Sequence, residues 1–267
     1  MKKSTLVIEI RKKKSFLCLG LDPDIEKMPH HLSKDVKGIK KFCLEIIEST
    51  KDYCVAYKPN SAFFEALGWQ GLKVLEEVIL AIPKTHFIIL DAKRGDIGNT
   101  SRMYAKACFE TMKADAITVA PYMGEDSVRP FLEFKDKWAI ILGLTSNDGS
   151  KDFELKKTEG KDLFEVVLEE CAKWGNAENT MFVIGATQGQ YMKRVRQIVP
   201  NHFLLVPGIG AQGGSFEDVC NHLMNDEIGI LINASREIIY ASSETDYAEK
   251  AGQKARALAL KMSSWVL

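Results

Sequence analysis

The sequence carries no excess of charge of either sign. Its 267 residues include 36 Lys and Arg against 36 Asp and Glu. Nucleic-acid-binding proteins commonly gain affinity from a positive field over their surface, so this balance argues against nucleic acid as a partner. An anionic ligand must therefore be bound by a local site.

Long apolar runs are also missing. No segment approaches the ~20 apolar residues that a membrane-spanning helix needs. The basic N-terminal residues 1–14 contain an apolar run at 6–8, which Glu9 interrupts, and this run is far too short for a secretory signal peptide. We therefore expect no membrane partner, a cytoplasmic location and an amphipathic lead-in helix at the N-terminus.

Disulfide and metal-binding patterns are absent as well. The six cysteines are scattered without a Cys-x-x-Cys pair, so we interpret them as reduced thiols of the core or surface. The five histidines show no spacing such as His-Glu-x-x-His. The sequence therefore predicts no zinc site.

What the sequence does contain is a regular alternation of short apolar runs and longer amphipathic stretches. This alternation indicates parallel strands joined by crossover helices. We predict strands near residues 16–22, 54–59, 86–91, 115–120, 138–144, 180–186, 203–207 and 228–233. The length suits one barrel domain, a fold of roughly 250 residues. We therefore predict an α/β protein in which residues 1–267 form a single (β/α)8 TIM barrel, with a long loop at 148–161 as a candidate lid.

The stretch 88–100 reads Ile-Ile-Leu-Asp-Ala-Lys-Arg-Gly-Asp-Ile-Gly-Asn-Thr. Asp91 and Lys93 follow an apolar strand, and their side chains point the same way if that strand stays extended. A glycine then permits a turn, and Asp96 is placed to cap a helix that begins at Ile97. Taken alone, Asp-x-Lys more often marks an incidental ion pair at a strand-to-helix junction.

Other predicted strands also end in polar residues, at the face where barrel enzymes bind their substrates. Asp22 follows strand one, Lys58 ends strand two and Ser146 follows strand five. Each has a simpler explanation, because Asp22 can form a turn, Lys58 can point outward and Ser146 can cap a helix. The glycines of 206–214 free backbone N–H groups for an anion, and Arg236 adds a guanidinium, so these loops predict a phosphate site.

The extended string Asp-x-Lys-x-x-Asp-Ile-x-x-Thr at 91–100 resembles the signature of the orotidine 5'-monophosphate decarboxylases. Further matches follow in order at 19–24, 57–68, 120–130, 145–147, 206–214 and 235–240. The chain is most similar to the longer bacterial form of this family. The resemblance implies a carboxy-lyase of de novo pyrimidine biosynthesis that converts orotidine 5'-monophosphate to UMP and CO2 with no metal or other cofactor.

The resemblance also implies a role for each matching residue. It assigns Lys58, Asp91, Lys93 and Asp96 to catalysis, with Lys93 protonating a carbanion at C6. The implied contacts to the substrate are Asp22 to the ribose, Ser146 to the pyrimidine, and Gln212, Arg236 and the Ser235 backbone to the phosphate. Ile97 and Thr100, together with Asp96, are expected to reach into the partner's site across the two-fold interface of a homodimer with shared active sites.

Three alternatives remain open. Gly208, Gly210 and Gly213 fit the dinucleotide fingerprint, but the next strand ends at Asn233, where that fingerprint needs an acidic residue. A Mg²⁺-dependent sugar-phosphate decarboxylase or aldolase shares Asp-x-Lys-x-x-Asp, but it needs a glutamate on strand two, where this chain has Lys58. The third alternative is a non-catalytic, nucleotide-binding barrel.

Overall fold

Parallel strands close into a barrel in the computed structural model, which describes residues 1–209 and 213–266. The barrel strands are β1 (Leu17–Leu21), β2 (Ala56–Pro59), β3 (Phe87–Arg94), β4 (Ala116–Val119), β5 (Trp138–Leu144), β6 (Thr180–Ile184), β7 (Phe203–Pro207) and β8 (Ile230–Ala234). Each strand pairs with the next along the chain, and β8 pairs with β1. The predicted (β/α)8 barrel is therefore confirmed, and each predicted strand overlaps an observed one.

Helices surround the barrel, and most of them lie in the connections between consecutive strands. In the described residues they are α1 (Lys3–Lys13), α2 (Val36–Thr50), α3 (Ser61–Glu65), α4 (Gly68–Ala81), α5 (Gly98–Lys106), α6 (Glu125–Leu132), α7 (Leu163–Trp174), α8 (Gly189–Ile198), α9 (Phe216–Leu223), α10 (Arg236–Ile239) and α11 (Tyr247–Ser263). Shorter helical turns include a 3₁₀ turn at Ile25–Lys27 and a π-helical turn at Ala107–Thr111. None of the helices within residues 1–209 and 213–266 is both long enough and apolar enough to cross a membrane.

Two of the crossover helices start at side chains that cap them. Asp35 accepts hydrogen bonds of 3.0 Å from the N–H groups of Lys37 and Gly38 at the start of α2. Asp162 and Glu165 form a reciprocal capping box at the start of α7. Both caps satisfy backbone N–H groups that have no partner within the helix.

Apolar side chains fill the barrel and the layer between the strands and the helices. All five residues of β1 are buried, as expected for a parallel sheet covered on both faces. Trp138, Phe182 and Phe203 are among the largest fully buried side chains. All six cysteines are unpaired and buried, in agreement with their interpretation as reduced thiols.

The N-terminal helix α1 covers the end of the barrel where the strands begin. Its residues Leu6 and Ile10 are fully buried. Trp138, the first residue of β5, donates a hydrogen bond of 2.8 Å from Nε1 to the carbonyl of Met1. The predicted lead-in helix is therefore confirmed, and it lies opposite the face where the predicted site residues gather.

The segment after β5 is more ordered than the loop predicted at 148–161. It contains a 3₁₀ turn at Asp148–Asp152, and Lys157–Thr158 pairs antiparallel with Lys161–Asp162. Glu154 anchors the segment to the end of β5 by accepting hydrogen bonds of 2.7 and 2.8 Å from the backbone and hydroxyl of Thr145. Strands of two residues are too short to show an alternating pattern in the sequence.

Candidate active site

The third strand has a bulge within its charged motif. The pairing of β3 with β4 shifts register between Leu90 and Arg94, and Lys93 has a φ of 46°, in the left-handed region. The strand is therefore not extended at Lys93, and the predicted reason for the meeting of the two side chains was wrong. They meet nevertheless, because the bulge carries Lys93 Nζ to 2.7 Å from Asp91 Oδ1.

Asp91 lies between two lysines at the carboxyl end of the barrel strands. Lys58 extends from β2 and places Nζ 2.6 Å from Asp91 Oδ2. Lys58 and Asp91 are 5% and 7% exposed, whereas the side chain of Lys93 is 53% exposed. Lys58 therefore points into the site rather than outward to solvent, and Lys93 is the accessible end of a three-charge array.

Each charged group of this array stabilises the ionised form of its neighbour. Burial alone would raise the pKa of Asp91, but Lys58 and Lys93 outweigh it and hold that pKa well below its ordinary value. Burial alone would lower the pKa of Lys58, but the carboxylates of Asp91 and Asp22 raise it above its ordinary value. Opposite charges at hydrogen-bond distance favour both ionised forms, so Asp91 and Lys58 are charged at neutral pH.

Thr118 belongs to this site although the sequence did not single it out. Its hydroxyl donates a hydrogen bond of 2.9 Å to Asp91 Oδ1. The Thr118 hydroxyl oxygen also accepts the N–H groups of Ala92 and Lys93 at 3.0 and 2.9 Å. Threonine is common in strands, and its sequence context carries no signal for these contacts.

Asp96 does not join the array in its own chain. Its side chain accepts the N–H of Ile97 at 2.8 Å, and α5 begins at Gly98, one residue later than predicted. In the part of the chain that the structure describes, Asp96 forms no ion pair, whereas Asp91 forms two. Ile97 and Thr100 lie beside it and are exposed.

The loops after β1 and β8 are held together by two hydroxyl groups. Ser235 Oγ donates a hydrogen bond of 2.6 Å to Asp22 Oδ2. The hydroxyl of Tyr240 donates to the carbonyl of Asp22 at 2.8 Å and accepts the N–H of Asp24 at 2.6 Å. Asp22 Oδ1 is buried and has no hydrogen-bond partner among the described residues.

A cavity of about 110 Å³ lies where β7 and β8 end. It is lined by Asp22, Pro207, Gly208, Ile209, Asn233, Ala234, Ser235, Arg236 and Glu237. Arg236 is exposed and pairs with no carboxylate within residues 1–209 and 213–266, so its guanidinium is available to an anion. Gln212, predicted to bind the same phosphate, lies outside the described residues.

Ser146 follows β5 at the same face of the barrel. Its carbonyl accepts a hydrogen bond of 3.3 Å from the hydroxyl of Thr187, in the loop after β6. A Cβ at Gly185 would lie 2.7 Å from the backbone nitrogen of Ser146. Glycine is therefore required at 185 for these two loops to approach each other.

The structure thus gathers Lys58, Asp91, Lys93 and Asp22 with the cavity at Arg236 on one face of the barrel. Across residues 1–209 and 213–266, no group of three or more His, Cys, Asp or Glu side chains is arranged to hold a metal ion. The expectation of a metal-free reaction remains a prediction.

Comparison with known proteins identifies the family. The family model described as orotidine 5'-phosphate decarboxylase / HUMPS family matches residues 15–251. An orotidine 5'-phosphate decarboxylase of Phocaeicola vulgatus is 54% identical over 266 residues, covering 98% of each chain. The solved structure of Leishmania donovani OMP decarboxylase is 37% identical with a TM-score of 0.83, covering 97% of this chain and 99% of that one.

A second solved structure, Leishmania donovani UMP synthase, is 40% identical with a TM-score of 0.83. The match covers 95% of this chain and 56% of that longer chain. The family match spans every strand of the barrel and both loops of the predicted phosphate site. This chain therefore belongs to the orotidine 5'-phosphate decarboxylase / HUMPS family.

Proposed function

We propose that this protein is an orotidine 5'-monophosphate decarboxylase that forms UMP and CO2 in de novo pyrimidine biosynthesis. The observation that carries the proposal is the array of Lys58, Asp91 and Lys93 at the open face of the barrel, beside a cavity that contains Arg236. The array supplies charges for the chemistry, and the cavity supplies a site for the phosphate. The names of the relatives point to the same reaction.

The proposed reaction breaks the bond between C6 and the carboxylate carbon. The bonding electrons stay on C6 as a carbanion, and the carboxylate leaves as CO2. Asp91 crowds the carboxylate in the bound substrate, and the Lys93 ammonium stabilises the negative charge that develops on C6. Lys93 then transfers a proton to C6, which gives UMP, and it regains a proton from water.

The array suits this chemistry because its charges are already in place. Asp91 is anchored on both carboxylate oxygens, so it does not turn away when a second carboxylate approaches. Lys93 is held by Asp91 yet exposed to the opening. A prearranged ammonium needs little reorganisation when charge appears, and this is the main requirement of electrostatic catalysis.

Groups remote from C6 supply the binding energy that offsets this crowding. In our proposal Arg236, the Ser235 backbone and Gln212 bind the phosphate, and Asp22 binds a ribose hydroxyl. The Oδ1 of Asp22, which has no hydrogen-bond partner within residues 1–209 and 213–266, supports that assignment. Ser146 is assigned to the polar edge of the pyrimidine.

We further propose that the protein is a homodimer in which Asp96, Ile97 and Thr100 complete the site of the partner subunit. Asp96 makes no contact with Lys93 of its own chain in the described structure, although both belong to one motif. Several large apolar side chains on α5 and on the loops before α5 and α6 are exposed in the single chain: Ile97, Met103, Tyr104, Tyr122 and Met123. Apolar side chains exposed together mark an interface, and a second copy would cover them.

Complementation between two inactive variants tests the shared site. Lys93→Ala and Asp96→Ala chains are mixed, dissociated and allowed to reassociate. If Asp96 acts in the partner's site, each mixed dimer has one intact site and one doubly altered site, and random pairing restores roughly a quarter of wild-type activity. If mass spectrometry shows mixed dimers but activity does not return, Asp96 acts in its own chain and the shared-site proposal is wrong.

We also propose that residues 1–267 form one domain and act in the cytoplasm. Helix α1 buries Leu6 and Ile10 against the barrel, and α11 packs on α2. Helix α1 therefore closes one end of the barrel, and α11 belongs to its outer helical layer. This packing supports the proposal that the helices at both ends belong to the same unit as the barrel.

The decisive experiment follows the absorbance of orotidine 5'-monophosphate during incubation with the purified protein, with and without EDTA. We expect loss of substrate absorbance, formation of UMP and the same rate in both samples. A strict requirement for Mg²⁺ would favour the sugar-phosphate decarboxylase alternative. A folded protein that binds UMP without turning over the substrate would favour the non-catalytic barrel.

A further inference from the structure

Thr118 uses the full hydrogen-bonding capacity of its side chain. A threonine hydroxyl has one proton to donate and two lone pairs to accept with. Thr118 donates to Asp91 Oδ1 and accepts the N–H groups of Ala92 and Lys93, all at 2.9 to 3.0 Å. Its side chain is 1% exposed, so water does not compete for these bonds.

Both accepted bonds hold the bulge of β3. The peptide between Ala92 and Lys93 leads into the left-handed conformation of Lys93, at a φ of 46°. An L-residue with a side chain is less stable in that conformation than in an extended one, so the surrounding structure must impose it. From the neighbouring strand β4, Thr118 accepts the N–H of this peptide and the N–H of the preceding peptide. Without them the bulge loses its anchors to β4 at these two positions.

The donated bond acts on the carboxylate. Asp91 Oδ1 receives both the Thr118 hydroxyl and the Lys93 ammonium, at 2.9 and 2.7 Å. One hydroxyl therefore orients Asp91 and the backbone that carries Lys93 at the same time. The distance between the two charged groups then depends on a side chain that bears no charge and reaches no solvent.

We propose that Thr118 is a positioning residue for the decarboxylation, setting where Lys93 Nζ and the Asp91 carboxylate lie relative to C6 of the substrate. This inference rests on the proposed function. Thr118 acts through Asp91 and Lys93, and it lies apart from the cavity at Arg236. Its loss should therefore affect the chemical step and leave the binding of phosphate and ribose nearly unchanged.

Thr118→Val tests this by replacing the hydroxyl with a methyl group of similar size. We expect kcat to fall by about 10²-fold, the effect of displacing a catalytic group by roughly 1 Å. The Kd for UMP should change less than about threefold, because the phosphate and ribose contacts remain. Thr118→Ser, which keeps the hydroxyl, should recover most of kcat.

Thr180→Val is the matched control. Thr180 is also a fully buried strand threonine whose hydroxyl is hydrogen-bonded, at 3.2 Å to Asn179, but it lies at the start of β6, at the opposite end of the barrel. Both valine variants should lower the melting temperature, whereas kcat should fall only for Thr118→Val. If Thr118→Val does not fold, Thr118→Ser can be compared with Thr118→Ala, because these two variants differ by the same hydroxyl. The kcat of Thr118→Ser should then exceed that of Thr118→Ala by at least about tenfold.

Several results would overturn the inference. A Thr118→Val protein with kcat within about threefold of wild type would show that the hydroxyl does not position the array. Equal losses of kcat and UMP affinity, or no recovery in Thr118→Ser, would indicate a purely structural role. If wild type and Thr180→Val also fail to turn over orotidine 5'-monophosphate, the proposed function itself is wrong.

Discussion

Replacing Ser235 with alanine should weaken the recognition of the ribose, although Ser235 precedes the arginine of the phosphate site. The serine hydroxyl donates a 2.6 Å hydrogen bond to Asp22 Oδ2. A hydrogen bond to a charged group contributes about 1.5–3 kcal/mol, and 1.4 kcal/mol corresponds to a tenfold change. Because water can replace part of the lost bond, we expect the lower end of this range. The predicted effect on kcat/KM for orotidine 5'-monophosphate is a loss of about tenfold.

The assay compares wild type and Ser235→Ala on the substrate and on its 2'-deoxy and 3'-deoxy forms. Wild type should discriminate against the form that lacks the hydroxyl bound by Asp22. Ser235 acts through Asp22, so on that form Ser235→Ala should lower kcat/KM by less than about twofold relative to wild type. This coupling separates positioning of Asp22 from a general loss of stability, which would reduce activity on all three substrates alike.

Ser242→Ala is the matched control, because it removes another serine–aspartate hydrogen bond, of 2.5 Å to Asp246, outside the substrate site. It should leave the kinetic constants unchanged. A tenfold loss of kcat/KM in Ser235→Ala, both on the normal substrate and on the form that lacks the hydroxyl bound by Asp22, would refute the reasoning. So would an unchanged kcat/KM, since it would mean that Asp22 holds its orientation without the serine.

Three further predictions concern the array, the phosphate site and acid stability. Lys93→Ala should lower turnover by at least about 10²-fold while UMP still binds, as titration calorimetry would show; a variant with more than a few per cent of wild-type rate would contradict its role. Arg236→Ala should raise KM for orotidine 5'-monophosphate but hardly affect phosphate-free orotidine, and equal losses on both would remove Arg236 from the phosphate site. Burial, with Arg196 and Lys3 nearby, lowers the pKa of His202 to about 4 from an ordinary 6.5, so the unfolded chain takes up a proton between these values before the folded protein does. The free energy of unfolding should therefore fall as the pH drops from about 6.5 to 4. Between pH 7 and pH 5, urea unfolding should show that His202→Gln loses about 1–2 kcal/mol less of this free energy than wild type or the exposed-site control His30→Gln. Equal losses in all three proteins would exclude this role of His202.

The barrel fold could be predicted from local patterns in the sequence. Buried parallel strands form nearly continuous apolar runs, because helices cover one face and the barrel interior covers the other. The ranges predicted for β5 and β7, 138–144 and 203–207, agree with the structure at both ends. The prediction at the end of β3 was poorer, because the bulge at Lys93 depends on hydrogen bonds from β4 rather than on the residues of β3.

The sequence by itself determined the order of the strands, the charged residues at their carboxyl ends and the motif that placed the chain in its family. It did so because apolar periodicity and short-range spacing are local properties of a chain. The tertiary structure alone decided which hydroxyl groups contact those charged residues. Ser235 and Asp22 are 213 residues apart, and Thr118 is 27 residues from Asp91. Contacts of this kind arise when barrel closure brings strand ends together, and no local pattern specifies which hydroxyl will face which carboxylate.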